Sequence, residues 1–131
     1  MGTTENVDLV RRGYEAFNAG DMATLTEIFA EDAVWHVAGN NVLSGTKQGR
    51  DAVLAYFGEL GARSAGTLKV DILDIVGGDR HTVGIQHNSA ENNGRSMDLD
   101  VAIAFEIRDG RITAGQEFIE DTAKSDEFWA A

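Results

Sequence analysis

Residues 92–107, Asn92-Asn93-Gly94-Arg95-Ser96-Met97-Asp98-Leu99-Asp100-Val101-Ala102-Ile103-Ala104-Phe105-Glu106-Ile107, decide the fold. Leu99, Val101, Ile103, Phe105 and Ile107 alternate with Asp98, Asp100 and Glu106, the two-residue period of a strand that buries one face. Asn93-Gly94 is a strong hairpin signal, because the tightest hairpin turns need φ > 0 at both central residues. A turn centred there pairs Gln86 with Val101, Asn88 with Leu99 and Gly84 with Ile103, and sets His87 against Asp100. Gln86 and Asn88 therefore point inward with the apolar set. His87 and Asp100 fall on the outer face, in line with Val83, Ile85, Ala102 and Ala104. A slip of one residue would bury two carboxylates without partners, at a cost on the order of several kcal/mol.

On the C-terminal side, Arg108-Asp109-Gly110-Arg111 marks a second hairpin into a strand over 111–120. On the N-terminal side, Leu68, Val70 and Ile72 alternate with Lys69 and Asp71, and Gly77-Gly78-Asp79 turns the chain into a strand over 80–91. The result is an antiparallel meander. Before residue 67 the spacing is helical: Val7, Val10, Tyr14 and Phe17 share one helix face, and Met22, Leu25, Ile28 and Phe29 share another. Gly20 supplies the left-handed stop between them and Asp21 the next cap. Ala33-Val34-Trp35-His36-Val37 reads as a short strand, 38–49 as a loop, and Arg50 to Leu60 as a third helix through Val53, Tyr56, Phe57 and Leu60. Three helices followed by consecutive strands give an α+β fold, with one helical layer on a curved antiparallel sheet. One domain over 1–131 is expected, since a chain of this length buries roughly two-thirds of its unfolded surface unaided.

Composition excludes several classes. Acidic residues outnumber basic ones 22 to 11, for a formal charge of −11, so a polyphosphate backbone or an anionic membrane would be repelled. Neither nucleic acid nor membrane is an expected partner. Cysteine is absent, which removes disulfides and thiolate chemistry and fits a reducing compartment. The N-terminal residues lack a signal-peptide layout and no apolar run approaches ~18 residues, so a cytoplasmic protein is expected. His81 and His87, six apart, would stand about 20 Å from one another on an extended strand, too far to share a metal ion. No metal site is indicated, and no glycine-rich phosphate cradle, so no cofactor is expected.

Val10-Arg11-Arg12-Gly13-Tyr14-Glu15-Ala16-Phe17-Asn18-Ala19-Gly20-Asp21 is followed by Phe29-Ala30-Glu31-Asp32-Ala33-Val34-Trp35-His36. Gly49-Arg50-Asp51-Ala52-Val53 and Phe105-Glu106-Ile107-Arg108-Asp109-Gly110-Arg111-Ile112 come next. This ordered set resembles SnoaL-like proteins of the nuclear transport factor 2-like, ketosteroid-isomerase-like superfamily, over nearly the whole chain. The resemblance implies a cone-shaped α+β barrel, an apolar small-molecule pocket and a homodimer. It does not choose an activity, because one such fold carries many. The general base of ketosteroid isomerases would fall at Val37, their second Asp at Ile103 and their phenol at Gly13. The Arg–Asp pair of limonene-epoxide-hydrolase-like members would fall at Gly84 and Gln86. Only their second acid, at Glu117, and their water-positioning aromatic, at Trp35, find a match.

Glu117 is accordingly the candidate catalytic residue, and one residue of register decides it. A two-residue turn at Asp109-Gly110 would put Gln116 and Phe118 inside; a three-residue loop with a glycine bulge would turn Gly115, Glu117 and Ile119 inward. The resemblance favours the second arrangement. Buried among apolar walls, Glu117 would have a raised pKa and serve as general acid or base. Candidate substrate-binding residues are Tyr14 and Phe17 on the first helix, Trp35 and Val37 on the first strand, and Tyr56 and Phe57 on the third helix. Gln86, Asn88, Leu99, Val101, Ile103 and Phe105 complete the set on the sheet. A Trp beside helices is more often a core residue than a ligand platform, and the Tyr14 hydroxyl needs a partner in a ligand or a backbone carbonyl. His87, Ser89 and Asp100 form a surface trio without an elbow or oxyanion hole, suited to decoration or a dimer interface. Two readings stand: a cofactor-independent cyclase-, isomerase- or hydrolase-type enzyme acting on an apolar or polycyclic molecule, and a non-catalytic ligand-binding or dimerisation module.

Overall fold

In the computed structural model, which describes residues 2–130, the first helix, α1 (Thr3–Ala19), buries Val10, Tyr14 and Ala16. It stops at Gly20, whose φ of 68° only glycine adopts at little cost. Asp21 caps α2 (Met22–Ile28), accepting from the Thr24 amide at 3.1 Å. Phe29, expected on the face of this helix, instead opens strand β1 (Phe29–Val37). Its backbone is extended, φ −87° and ψ 137°, and it is 3 % exposed. The segment expected as a loop contains a further strand, β2 (Gly45–Gln48), antiparallel to β1. Then follow α3 (Arg50–Arg63), β3 (Lys69–Gly77), β4 (Thr82–Asn92), β5 (Arg95–Arg108), β6 (Arg111–Ile119) and a fourth helix, α4 (Thr122–Trp129).

The fold is α+β, with three corrections to the expected architecture. The strand order is β2-β1-β6-β5-β4-β3, and β1 runs parallel to β6, so the sheet is mixed rather than wholly antiparallel. It is also open, with β2 and β3 at its edges. α4 adds a helix beyond the three expected. It is tied back by Asp126, whose Oδ1 accepts from the Asn40 amide and from Asn41 Nδ2, both at 2.8 Å.

The central hairpin has the register expected of the Asn-Gly turn. Asn93 and Gly94 sit at φ 53° and 75°, and Gln86 pairs with Val101, Asn88 with Leu99, Gly84 with Ile103 and His87 with Asp100. Met97, Leu99, Val101, Ile103 and Phe105 are buried.

Neither alternative for the next hairpin is complete. Asp109 and Gly110, at φ 53° and 76°, form a two-residue turn that pairs Arg108 with Arg111 and Ile107 with Ile112. Glu106 then pairs with Ala114, so Thr113 is one residue too many. This bulge, in which Thr113 Oγ1 donates to the Glu106 carbonyl at 3.2 Å, turns Gly115, Glu117 and Ile119 to the side of Phe105, Ile103 and Val101. The tight turn and the inward Glu117 coexist because the bulge lies in the strand, not the loop.

On the outer face, His87 Nδ1 and Asp100 Oδ1 share a hydrogen bond of 2.6 Å, and Asp98 lies against the other ring nitrogen. The hydrogen bond to Asp100, then the contact with Asp98, raise the imidazole pKa above its usual 6.5. Stability from a raised histidine is full below the unfolded value and is lost as pH rises through the folded one. His87→Gln should therefore lower the thermal midpoint near about pH 5.5 and leave it unchanged near about pH 9. The shift should be small, because the cluster is solvated; a difference independent of pH would show that the imidazole charge plays no part.

Candidate active site

The inner sheet face and the helices line a cavity of about 90 Å³, room for several water molecules. Glu117 is the one carboxylate that lines it among the described residues. Trp35 Nε1 donates to Glu117 Oε2 at 2.8 Å, and the Tyr56 hydroxyl donates to the same oxygen at 2.7 Å. No hydrogen bond reaches Oε1 among the described residues, so one oxygen of this half-buried side chain is anchored and the other is without a partner. Burial raises the Glu117 pKa above 4.5, while the bonds from Trp35 and Tyr56 and the charge of Lys47 pull against that rise. Burial dominates because most of the surrounding side chains are apolar.

Each partner has a local cause. Trp35 packs closely against β6 because its parallel neighbour there is Gly115, and a Cβ at that position would overlap the indole ring. Phe57 meets the same indole edge-on at 5.2 Å between centroids, an arrangement favoured by the ring quadrupoles. Tyr56 is buried on α3 with Lys47 Nζ 5.6 Å from its ring centre. Its hydroxyl pKa is pushed well up by burial and by Glu117, so it donates and does not ionise.

Across the cavity stands Tyr14. Its ring rests on Gly84, where a Cβ would overlap the phenol, and its edge meets Phe105 at 6.2 Å. Gly84 pairs with Ile103, which pairs with Glu117, so the backbone beneath Tyr14 is two strand spacings, about 10 Å, from that of Glu117. The Tyr14 hydroxyl is buried without a partner, and its pKa is raised by burial and by Glu117. The backbone carbonyl expected as an alternative partner does not reach it. Gln86, 5 % exposed, donates from Nε2 to Asn88 Oδ1 at 2.7 Å, while its own Oε1 is buried and unpaired. Two orphaned polar atoms thus accompany the free carboxylate oxygen, against the rule that buried polar groups are paired.

Of the residues proposed from sequence, Tyr14, Phe17, Trp35, Tyr56, Phe57 and Gln86 line this cavity with Asn88, Leu99, Val101, Ile103, Phe105 and Glu117. Val37 does not. It shares a strand face with Trp35 but packs at the edge of the core, partly buried, opposite Gly45 of β2. His36 points the other way, exposed, with Nδ1 3.0 Å from Thr46 Oγ1. Ser125 and Trp129 of α4 also line the cavity and were missed, although Asp121 with Phe128-Trp129 is a cap-and-apolar pair that could have signalled the helix. Lys47 was missed with its strand.

Comparison with known proteins identifies the family. Residues 10–115 match the SnoaL-like domain family. An uncharacterized protein of Mycobacterium tuberculosis is 36 % identical over 131 residues, covering 99 % of this chain and 100 % of its own. Bal32a, from a soil-derived mobile gene cassette, has a structure similar at a TM-score of 0.95 with 42 % identity, over 97 % of this chain and 98 % of that one. IdmH of Streptomyces antibioticus, named as a candidate polyketide cyclase, is similar at a TM-score of 0.72 with 26 % identity, over 86 % and 90 % of the two chains. An inner sheet face capped by N-terminal helices, the ordered motifs and these matches agree: the chain belongs to the SnoaL-like domain family, with the nuclear transport factor 2-like fold.

Proposed function

We propose that the 131 residues form one domain acting as a cofactor-independent acid/base enzyme on an apolar or polycyclic small molecule that carries a carbonyl group. The observation that supports this most is the asymmetry of Glu117, which lines a mostly apolar cavity with Oε2 held by two donors and Oε1 without a partner. A carboxylate fixed in this way and raised in pKa is suited to taking a proton near neutral pH. Glu117 Oε1 removes the proton from a carbon next to the carbonyl, the C–H electrons pass to the carbonyl oxygen, and the same carboxyl returns the proton at that carbon or another. The unpaired Tyr14 hydroxyl on the opposite wall donates to the oxygen as charge develops on it. The polyketide-cyclase assignment of IdmH is consistent with this class of chemistry. Deuterium uptake by bicyclic ketones, beginning with 2-tetralone, tests the reading by NMR in deuterated buffer: uptake above background that Glu117→Gln abolishes is expected. Uptake equal in the two proteins would overturn it.

The unpaired Gln86 Oε1 and Tyr14 hydroxyl also favour a second reading, a module that binds and releases its ligand unchanged, since a ligand satisfies both atoms whether or not it reacts. Binding of the ketones without uptake decides for it. In either case a reducing, intracellular setting fits a chain without cysteine.

The working unit we propose is a homodimer through the outer sheet face. Val83, Ile85, Ala102 and Ala104 lie there part-exposed, in line with Val76 and Phe118, which are 49 % and 54 % exposed. A contiguous apolar strip rimmed by His87, Asp98 and Asp100 suits a two-fold contact. Phe118→Lys should convert a dimer to a monomer in sedimentation at micromolar concentration; a wild-type monomer would remove the proposal.

A further inference from the structure

We infer that the ligand carries an unbranched apolar extension, which lies in a groove between the α1–α2 corner and α3 that adjoins the cavity and shares four wall residues with it. This rests on the reading of the cavity as a small-molecule site.

The groove holds about 230 Å³ and shares Phe17, Leu25, Phe57 and Leu68 with the cavity as common walls. Phe17 and Phe57 meet edge to face at 5.5 Å where the two spaces adjoin. The groove differs from the cavity in its chemistry. Its polar side chains are engaged within the chain: Ser64 Oγ donates to the Gly61 carbonyl and accepts from the Leu68 amide, each at 3.2 Å, and Asn18 Nδ2 donates to the Val70 carbonyl at 3.0 Å. The cavity instead keeps the Tyr14 hydroxyl, Gln86 Oε1 and Glu117 Oε1 free of partners. A polar head is therefore recognised in the cavity and an apolar tail in the groove.

The floor of the groove supports this. Gly58 and Gly61 stand three apart on α3, and a Cβ at either would meet no atom within 4 Å. Glycine is among the poorest helix formers, and no neighbour in the chain demands it at these positions. The space they leave accommodates a narrow chain passing along the helix. Met22, 43 % exposed at the rim, adds an adaptable apolar edge.

The test is calorimetric binding of 2-alkanones, from 2-pentanone to 2-undecanone. In the wild type, affinity should rise about three- to fourfold per methylene until the groove is filled. Gly61→Leu should bind the short ketones as the wild type does and 2-undecanone at least about tenfold more weakly, by loss of two or more such steps. Gly58→Leu should act similarly, while Ala62→Leu, exposed on the same helix, should change nothing. An unchanged thermal midpoint establishes that the variants are folded. Equal chain-length dependence in the wild type and both glycine variants overturns the inference, as does a wild type that binds none of the series. The proton-transfer reading fails separately: deuterium uptake unaffected by Glu117→Gln removes that role and leaves the groove standing, whereas equal chain-length slopes remove only the groove.

Discussion

Glu117→Gln is expected to lower proton-transfer turnover by about 10² or more while making the protein harder to unfold above acidic pH. Glutamine keeps the volume and an amide oxygen that can still accept from Trp35 and Tyr56, so the walls and the ligand's fit persist. What disappears is the group that exchanges a proton. The gain in stability follows from the direction of the pKa shift. Folding raises the Glu117 pKa above 4.5 through burial, so the folded state binds its proton more tightly than the unfolded state. Below about pH 4.5 the carboxyl is neutral in both states and the variant gains nothing. As pH rises from there through the folded pKa, ionisation costs the wild type stability that the neutral amide does not lose. Thermal midpoints of the two proteins should coincide near about pH 4 and separate towards neutrality, with the variant higher. A variant that is less stable at neutral pH would mean that Glu117 holds the fold together and was not kept for its chemistry.

The second large effect is expected from Gly115→Val. Gly115 has no positive φ, so its backbone accepts any L residue, and the obstacle is steric alone. The first carbon of a side chain would overlap the six-membered ring of Trp35, which Phe29, Phe57 and Phe105 hem in at 5.9, 5.2 and 5.7 Å. An aromatic ring so confined cannot yield. Overpacking of this kind costs about 3 kcal/mol, which for a chain of this size lowers the thermal midpoint by roughly 10 °C. Displacing the indole also breaks its bond to Oε2, so activity should fall in whatever protein folds. Gly115→Ala combined with Trp35→Phe should destabilise less than the sum of the two single changes, since the smaller ring vacates the contested space. Strict additivity would mean that the ring and the glycine do not meet.

The β4–β5 hairpin was legible because its two determinants are local: an Asn-Gly turn and an unbroken alternation from Asp98 to Glu106. β6 was not legible to the same degree. Its turn and the side of Glu117 looked like exclusive alternatives, and the bulge at Thr113 that reconciles them has no signature in a threonine flanked by isoleucine and alanine. β2 escaped because Gly45-Thr46-Lys47-Gln48 carries no apolar alternation; β1 recruits it at the sheet edge. α4 escaped because a carboxylate 85 residues from Asn41 holds it, a contact that no local pattern encodes. Tyr56 was legible as a wall of the cavity. Its bond to Glu117 was not, because that bond exists only in the register the bulge creates.

The same bulge leaves β6 one residue longer than its partner requires. Deletion of Thr113 or of Ala114 can be absorbed by flattening the ladder, which keeps Gly115 opposite Phe105 and Glu117 opposite Ile103. A single insertion there finds no such slack and must form a second irregularity or rotate Glu117 into solvent. The strand therefore tolerates changes in length asymmetrically: a lost codon spares the carboxylate, and a gained one threatens it.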